Sequence, residues 1–333
     1  MKKAAIICED PKQVSYVYAN GRREKLESIA KIHPVLLNVK NLEQEAPKLK
    51  DVEALFSTWG MPFLSASQIE SFLPSLKAVF YAAGSVKGFA PAFLDKGIIV
   101  VSAWEANAIP VAEFTCAQIL LSCKGYFRNS REARDPDRRI NGKCNAGRGV
   151  FGEKVGFIGC GMIARYLIKL LKPFNLRILV NDPYLTDDDA KALGVEKAEL
   201  AQIFSDCYVV SNHLPNLESL RGVLDWGLFN SMREGATFIN TGRGAQVNES
   251  DLVDVLRKRQ DLTALLDVTD PEPPLEQSPF YTMANIRITS HIAGSMNDEV
   301  VRLADYVIED FLNWEAGAPL KHAVTKDMLP RMA

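Results

Sequence analysis

The chain has six cysteines but no C-x-x-C pair, which removes the common dithiol and zinc spacings. Cys8, Cys116, Cys123, Cys144, Cys160 and Cys207 lie mostly in apolar segments, the setting of free buried thiols in a cytoplasmic protein. An excess of charge of one sign is also lacking. A net charge of −2 marks no dedicated polyanion partner, so nucleic acid is not expected. The opening MKKAAIICED holds two lysines but only a five-residue apolar run before Glu9 and Asp10, too short for a signal peptide and better read as a first strand. No apolar run approaches a membrane span. No metal site is indicated, and there is no internal repeat or low-complexity tract. The composition is that of a globular protein, 47% hydrophobic and 24% charged, and 333 residues suffice for two domains of ordinary size.

The most informative stretch is 154–182, KVGFIGCGMIARYLIKLLKPFNLRILVND. An apolar run at 155–158 predicts a buried strand. It stops at the G-x-G-x-x-A turn that begins at Gly159, and a helical pattern follows with Ile163, Leu167, Leu170 and Leu171 on one face. A second strand, 177–181, ends at Asp182. This is a βαβ unit with a dinucleotide-binding fingerprint. Gly159 permits the tight turn, Gly161 keeps side-chain atoms away from a pyrophosphate, and Ala164 allows close helix–strand packing. The helix N-terminus offers unpaired N–H groups to the phosphates. Asp182 can accept hydrogen bonds from both ribose hydroxyls of an adenosine. The segment after it, PYLTDDDA, has three aspartates and no basic residue, which disfavours a 2′-phosphate and selects NAD over NADP. Cys160 sits inside the turn, where oxidation could block the cofactor; the plainer reading is a small residue that fits.

Residues 1–101 alternate short apolar runs (4–8, 35–37, 52–57, 78–81, 98–101) with helical stretches around 25–30 and 67–72, the rhythm of a small parallel sheet covered on both faces. Two loops follow its strands, one with Trp59 and one with Ala83, Gly84 and Ser85. N–H groups beside Gly84 could hold a carboxylate, or the loop could be an ordinary strand-to-helix turn. Trp59 could wall a substrate pocket or cap the local core. Pro110 is placed to start a long helix over 111–127 that links two domains. Residues 128–148 then carry seven basic and three acidic residues without aromatic interleaving, which reads as a solvated arm or subunit-contact loop rather than a nucleic-acid arm.

The βα rhythm then resumes. Strands at 207–211, 236–240, 262–268 and 286–290 end respectively in Asn212-His213-Leu214-Pro215, Thr241-Gly242-Arg243-Gly244, Thr269-Asp270-Pro271-Glu272 and His291-Ile292-Ala293-Gly294. A last amphipathic helix, 296–314, would return to the first domain. Three strand ends therefore deliver Arg243, Glu272 and His291 to one crevice. A guanidinium can grip a carboxylate and the neighbouring carbonyl oxygen. A histidine can give a proton to an oxygen that becomes an alcohol, or take it back. A carboxylate beside that histidine favours the imidazolium and fixes the ring. Each residue alone has a bland reading: a surface ion pair, a solvated turn, a hydrogen-bonded core histidine. Together, beside a dinucleotide site, they are the parts needed to reduce a 2-oxo acid with NADH. His213 reads as a lining of the cofactor groove.

The stretches VGFIGCGMIAR, VVSNHLPNLESLRGVL, GATFINTGRGAQVNESDL, LLDVTDPEPPLEQSPFY and IRITSHIAGS resemble the D-isomer-specific 2-hydroxyacid dehydrogenase family, over nearly the full length of the chain. The resemblance implies an α/β protein of two doubly wound parallel-sheet domains. Residues 103–296 would form a Rossmann NAD-binding domain inserted into a flavodoxin-like substrate (catalytic) domain of 1–102 and 297–333. It implies Arg243 as the substrate-binding arginine and Glu272 and His291 as the acid–base pair. It places Met162, Ile163, Asp182, Thr241 and Asp267 around NAD; His213, Leu214, Pro215, Gly242 and Gly294, on the loops after the strands, are expected to line the cofactor groove as well. It sets Gly84 and Ser85 near the substrate carboxylate, with Trp59 and Ala83 on the strand-end loops as further candidates for the substrate site, and it implies a homodimer formed through the NAD domain. The chain departs from the family at Gly242, often Ala, at Thr269, often Phe, and at Ser290, often Pro. Gly84-Ser85-Val86-Lys87 also lacks the family's usual acid, which leaves the substrate open. Two other readings share the fold: a corepressor-like protein that senses redox state through NAD, and a phosphite- or formate-type dehydrogenase.

Overall fold

A computed structural model describes residues 1–332; Ala333, the last residue of the expected 297–333 segment, lies outside the described residues. The chain forms two compact units, Met1–Asn107 with Ser295–Ala333, and Ala108–Gly294.

In the first unit, β1 (Lys3–Ile6), β2 (Lys31–Ile32), β3 (Ala54–Ser57), β4 (Ala78–Tyr81) and β5 (Ile99–Ser102) form a parallel sheet in the order β2-β1-β3-β4-β5. β3 and β4 are buried throughout, as strands covered on both faces must be. One face packs Phe56 and Phe80 against Phe311, with ring centroids 5.1 and 5.4 Å from it, from helix Val301–Glu315. The other packs Leu55 and Val79 against Ile69 and Phe93.

In the second unit, β6 (Glu153–Ile158), β7 (Leu176–Asn181), β8 (Glu196–Lys197), β9 (Val209–Asn212), β10 (Thr237–Asn240), β11 (Thr263–Leu266) and β12 (Ile286–Ile288) form a seven-stranded parallel sheet in the order β12-β11-β10-β9-β6-β7-β8. The order reverses direction at the β6–β9 pair, where open α/β sheets bind ligands. Register aligns Ile158 with Asn212, Asn212 with Asn240, Asn240 with Leu266, and Leu266 with Ile288, so the loops leaving these strands stand side by side.

Several elements differ from the reading of the sequence. The second strand of the first unit is Lys31–Ile32, not 35–37; Leu37 makes only an isolated bridge to Ile7. A short antiparallel strand, β13 (Ala323–Val324), pairs with β5. The long helix runs Trp104–Cys123 and contains Pro110 rather than starting at it. A proline there removes one backbone hydrogen bond without ending the helix. That helix is long and apolar enough to cross a membrane by length and composition, contrary to the reading of the sequence. Half of its apolar window is buried, and it supplies Ala112, Ile119 and Cys123 to the second unit's core. The last helix begins at Val301, after a single 3₁₀ turn at Asn297–Glu299. On helix Met162–Leu171 the buried face is Ala164, Leu167, Ile168 and Leu171, while Leu170 is 39% exposed.

Candidate active site

The glycine turn after β6 is built for a phosphate. Gly159 has φ +94°, and a Cβ there would lie 2.8 Å from the His213 carbonyl oxygen. Around Gly161 a Cβ would meet nothing within 4 Å, so the backbone is open to a ligand. Among the described residues, no side chain caps the helix that starts at Met162, which leaves its first N–H groups and positive dipole end available. Asp182, at the end of β7, accepts from the Cys160 amide at 2.6 Å and the Tyr184 amide at 2.7 Å. Each carboxylate oxygen keeps a second lone pair for a ribose hydroxyl. The residues present therefore fit a dinucleotide. The Cys160 thiol is pushed up to about 11 by burial, so it is no thiolate at neutral pH and is a poor redox target.

Beyond β9, His213 bonds through Nε2 to Ser211 Oγ at 3.0 Å and sets its ring edge-on to Phe157 at 5.5 Å. Burial pushes it down to about 4, which keeps it neutral at pH 7 and unsuited to donate a proton. Beyond β10, Thr241 meets Thr115 at 3.2 Å between hydroxyls, and Gly242 is buried. Arg243 turns back so that NH1 donates to the Gly242 carbonyl at 2.7 Å. Burial lowers its pKa and the Glu272 charge opposes that shift; the guanidinium stays charged.

Glu272, after β11, and His291, after β12, form a direct pair with Nδ1 2.7 Å from Oε1. The contact leaves Nε2 as the ring nitrogen directed away from Glu272. His291 sits at φ +58°, an unusual conformation for a side chain of its size. Buried Asp267 holds the loop in that state. Its carboxylate accepts from Thr289 Oγ1 at 2.6 Å, the Ile292 amide at 2.8 Å and the Ala293 amide at 3.0 Å, and its carbonyl accepts from the His291 amide at 3.1 Å. Thr269 Oγ1 donates to the Pro271 carbonyl at 2.8 Å within the Glu272 loop. Gly294 is the last residue of this unit.

In the first unit, the loop after β4 is pinned by hydroxyls: Thr58 Oγ1 donates to Ala82 at 2.8 Å, and Ser102 Oγ to Ala83 at 2.9 Å and Gly84 at 2.6 Å. Among the described residues, no hydrogen bond uses the N–H of Gly84 or Ser85. Trp59 is half-buried, packs on both cores of its unit, and accepts from Cys8 Sγ at 3.1 Å through its carbonyl.

The reading of the sequence missed the buried amides Asn212, Asn240 and Gln246 and the anchoring hydroxyls of Thr289 and Thr269. Their partners lie on other strand ends, and no periodicity reveals them.

Residues 116–293 match the family model of the D-isomer specific 2-hydroxyacid dehydrogenase NAD binding domain. Among curated relatives, D-3-phosphoglycerate dehydrogenase of Archaeoglobus fulgidus is 27% identical over 230 residues, 69% of this chain and 43% of that protein. The enzyme of that name from Methanocaldococcus jannaschii is 28% identical over 272 residues, 80% of this chain and 50% of that protein. The chain thus spans about half the length of the curated relatives it matches. Among solved structures, D-mandelate dehydrogenase of Rhodotorula graminis shares the fold with a TM-score of 0.81 at 20% identity, covering 98% of each chain. D-2-hydroxyisocaproate dehydrogenase does so with 0.76 at 17%, covering 97% of this chain and 99% of that one.

Proposed function

Because the chain belongs to the D-isomer specific 2-hydroxyacid dehydrogenase family, we propose that it is an NAD-dependent oxidoreductase interconverting a 2-oxo acid and the corresponding (D-)2-hydroxy acid. The observation that carries this reading is the His291–Glu272 pair at 2.7 Å, on strand ends next to that of Arg243. The nicotinamide, when bound, supplies or accepts the hydride. In the reducing direction Arg243 orients the substrate through its carboxylate and carbonyl oxygen. His291 Nε2 gives the carbonyl oxygen a proton, and Glu272 stabilises the imidazolium and holds its Nδ1. In the oxidising direction His291 takes the hydroxyl proton. The amides of Gly84 and Ser85 are further candidates to bind the carboxylate.

NADH is proposed over NADPH, since the Asp182 carboxylate would repel a 2′-phosphate; in the following acidic run, Asp187 and Asp189 are ion-paired with Lys197 and Arg165. A homodimer is proposed through the second unit. A reducing compartment such as the cytoplasm suits six free cysteines.

The test is NADH consumption with glyoxylate, hydroxypyruvate, pyruvate, a branched 2-oxo acid and phenylpyruvate, with NADPH run in parallel. 3-Phosphohydroxypyruvate and phenylglyoxylate join the panel because relatives are named for 3-phosphoglycerate and mandelate. Turnover of at least one acid with NADH is expected. Binding of NADH without turnover of any would overturn the reading.

A further inference from the structure

Behind Arg243 lies a closed set of three buried amides. Asn212 closes β9, Asn240 closes β10, and Gln246 follows Arg243 by three residues; they are 0%, 0% and 1% exposed. Gln246 uses all four of its hydrogen-bonding positions. Its Oε1 accepts from Asn212 Nδ2 at 2.8 Å and from the Arg243 amide at 3.2 Å. Its Nε2 donates to the carbonyls of Pro215 at 2.8 Å and Leu214 at 3.3 Å. Asn240 Oδ1 accepts from the second proton of Asn212 Nδ2 at 3.0 Å and from the Gly242 amide at 3.0 Å, while its Nδ2 donates to the Arg243 carbonyl at 3.0 Å. Asn212 Oδ1 accepts from the Leu214 amide at 3.2 Å.

Each amide nitrogen in the set meets an acceptor, and reversing any one amide would set like groups against each other in a buried site. The network therefore has one arrangement. It grips Arg243 by both its N–H and its C=O, so it fixes the backbone from which the guanidinium projects. It also reaches across to Leu214 and Pro215, on the loop proposed to line the cofactor groove.

Resting on the reaction proposed above, we infer that Gln246, oriented by Asn212, is a positioning residue for Arg243. It holds the guanidinium in register with the Leu214–Pro215 loop and acts on the substrate only through the arginine.

A double-mutant cycle tests the inference. kcat and KM for the best 2-oxo acid are measured at saturating NADH for Gln246→Ala in the wild-type and Arg243→Ala backgrounds. Gln246→Ala should lower kcat/KM by roughly tenfold or more in the first background and by less than about twofold in the second. Equal losses in the two backgrounds would overturn the inference, since a merely structural residue costs the same with or without the arginine. Gln246→Glu keeps the size and the acceptor but loses both donor bonds; it should follow the same pattern, and it serves if the alanine variant does not fold. If the wild-type chain reduces no 2-oxo acid, the reaction itself fails, and the network is judged by amide hydrogen exchange. Faster exchange in both 212–215 and 241–243 of Gln246→Ala supports the coupling. A change confined to 244–248 overturns it.

Discussion

At the scale of single residues, the site depends on two features of opposite character. His291 is half exposed, with 48% of its side chain accessible, and is held by one carboxylate. Replacing it with alanine removes the proposed proton donor and leaves the glycine turn alone. His291→Ala should lower kcat by about 10²- to 10⁴-fold with NADH affinity unchanged, by steady-state kinetics and fluorescence titration. Undiminished turnover would take His291 out of the mechanism. Gly244 is the opposite case, a residue with no reactive group. A Cβ there would fall 2.0 Å from the Thr269 carbonyl carbon and 2.2 Å from its oxygen, so the Arg243 loop and the Glu272 loop touch backbone to backbone. Neither side has a flexible end to move. Gly244→Ala should therefore cost about 3 kcal/mol in denaturant unfolding and lower turnover, by driving the two loops apart. A variant of native stability would show that the loops can separate freely. Reactive residues such as His291 stood out in the sequence because their chemistry is rare at strand ends. Gly244 could be read there only as turn material, because its neighbour lies on the next strand.

At the scale of elements, the βαβ unit around Gly159 was legible because strand, turn, helix and acid each leave a local mark. The structure adds that Asp182 accepts from the Cys160 amide at 2.6 Å and so holds the glycine turn, besides its proposed role on the ribose. Asp182→Ala should weaken NADH binding at least about tenfold, the loss of two charge-assisted hydrogen bonds. Unchanged affinity would remove the aspartate from cofactor selection. The helix Trp104–Cys123 was less legible, because Pro110 looked like a beginning and the helical turn before it holds only a weak pattern.

The first turn of that helix carries Glu105, which meets His322 Nε2 at 3.2 Å, while Asp310 on the last helix meets His322 Nδ1 at 2.7 Å. Burial acts to lower the His322 pKa, but Asp310 and Glu105 outweigh it and leave it raised. Burial acts to raise that of Asp310, but the His322 side chain and the Lys321 and His322 amides hold it lowered. Stability from protonated His322 is thus complete below about pH 6.5 and is lost as pH rises through the raised value. Stability from Asp310 is complete above about pH 4 and is lost as pH falls through the lowered value. Between those windows the pair contributes steadily. His322→Asn keeps a donor for Asp310 but cannot titrate, so its Tm should be flatter between pH 6 and 9, by roughly 2–4 °C relative to the wild-type fall. Parallel Tm profiles for the two proteins would rule out the histidine as the source.

At the scale of the whole molecule, the segment after helix Trp104–Cys123 bears on the proposed homodimer. Its charges read in the sequence as a solvated arm or subunit-contact loop, and most of 134–147 is exposed. The structure brings two of the cations to buried Glu132, which bonds Arg128 Nε at 2.8 Å, Arg138 at 3.3 Å and the Asn145 amide at 2.6 Å. Lys143 is paired with Asp137 at 2.9 Å. The sequence could not show this folding, because Asn145 is thirteen residues from Glu132 and no helical period links them. Three of its seven cations are thus paired inside the segment, and among the described residues Arg131, Arg134, Arg139 and Arg148 form no ion pair. Ile140 within it and Tyr126 and Phe151 beside it are 81%, 51% and 87% exposed. These exposed apolar side chains are the candidates offered for the proposed homodimer contact. The same surface on a second copy would match it by symmetry, which suits the proposed homodimer. Light scattering should give twice the mass of one chain for the wild type. Ile140→Asp combined with Phe151→Asp should give one chain's mass at micromolar concentration, with the thermal transition of the separated chain still cooperative. A wild-type protein that runs as a monomer, or a double variant that stays dimeric, would move the interface elsewhere.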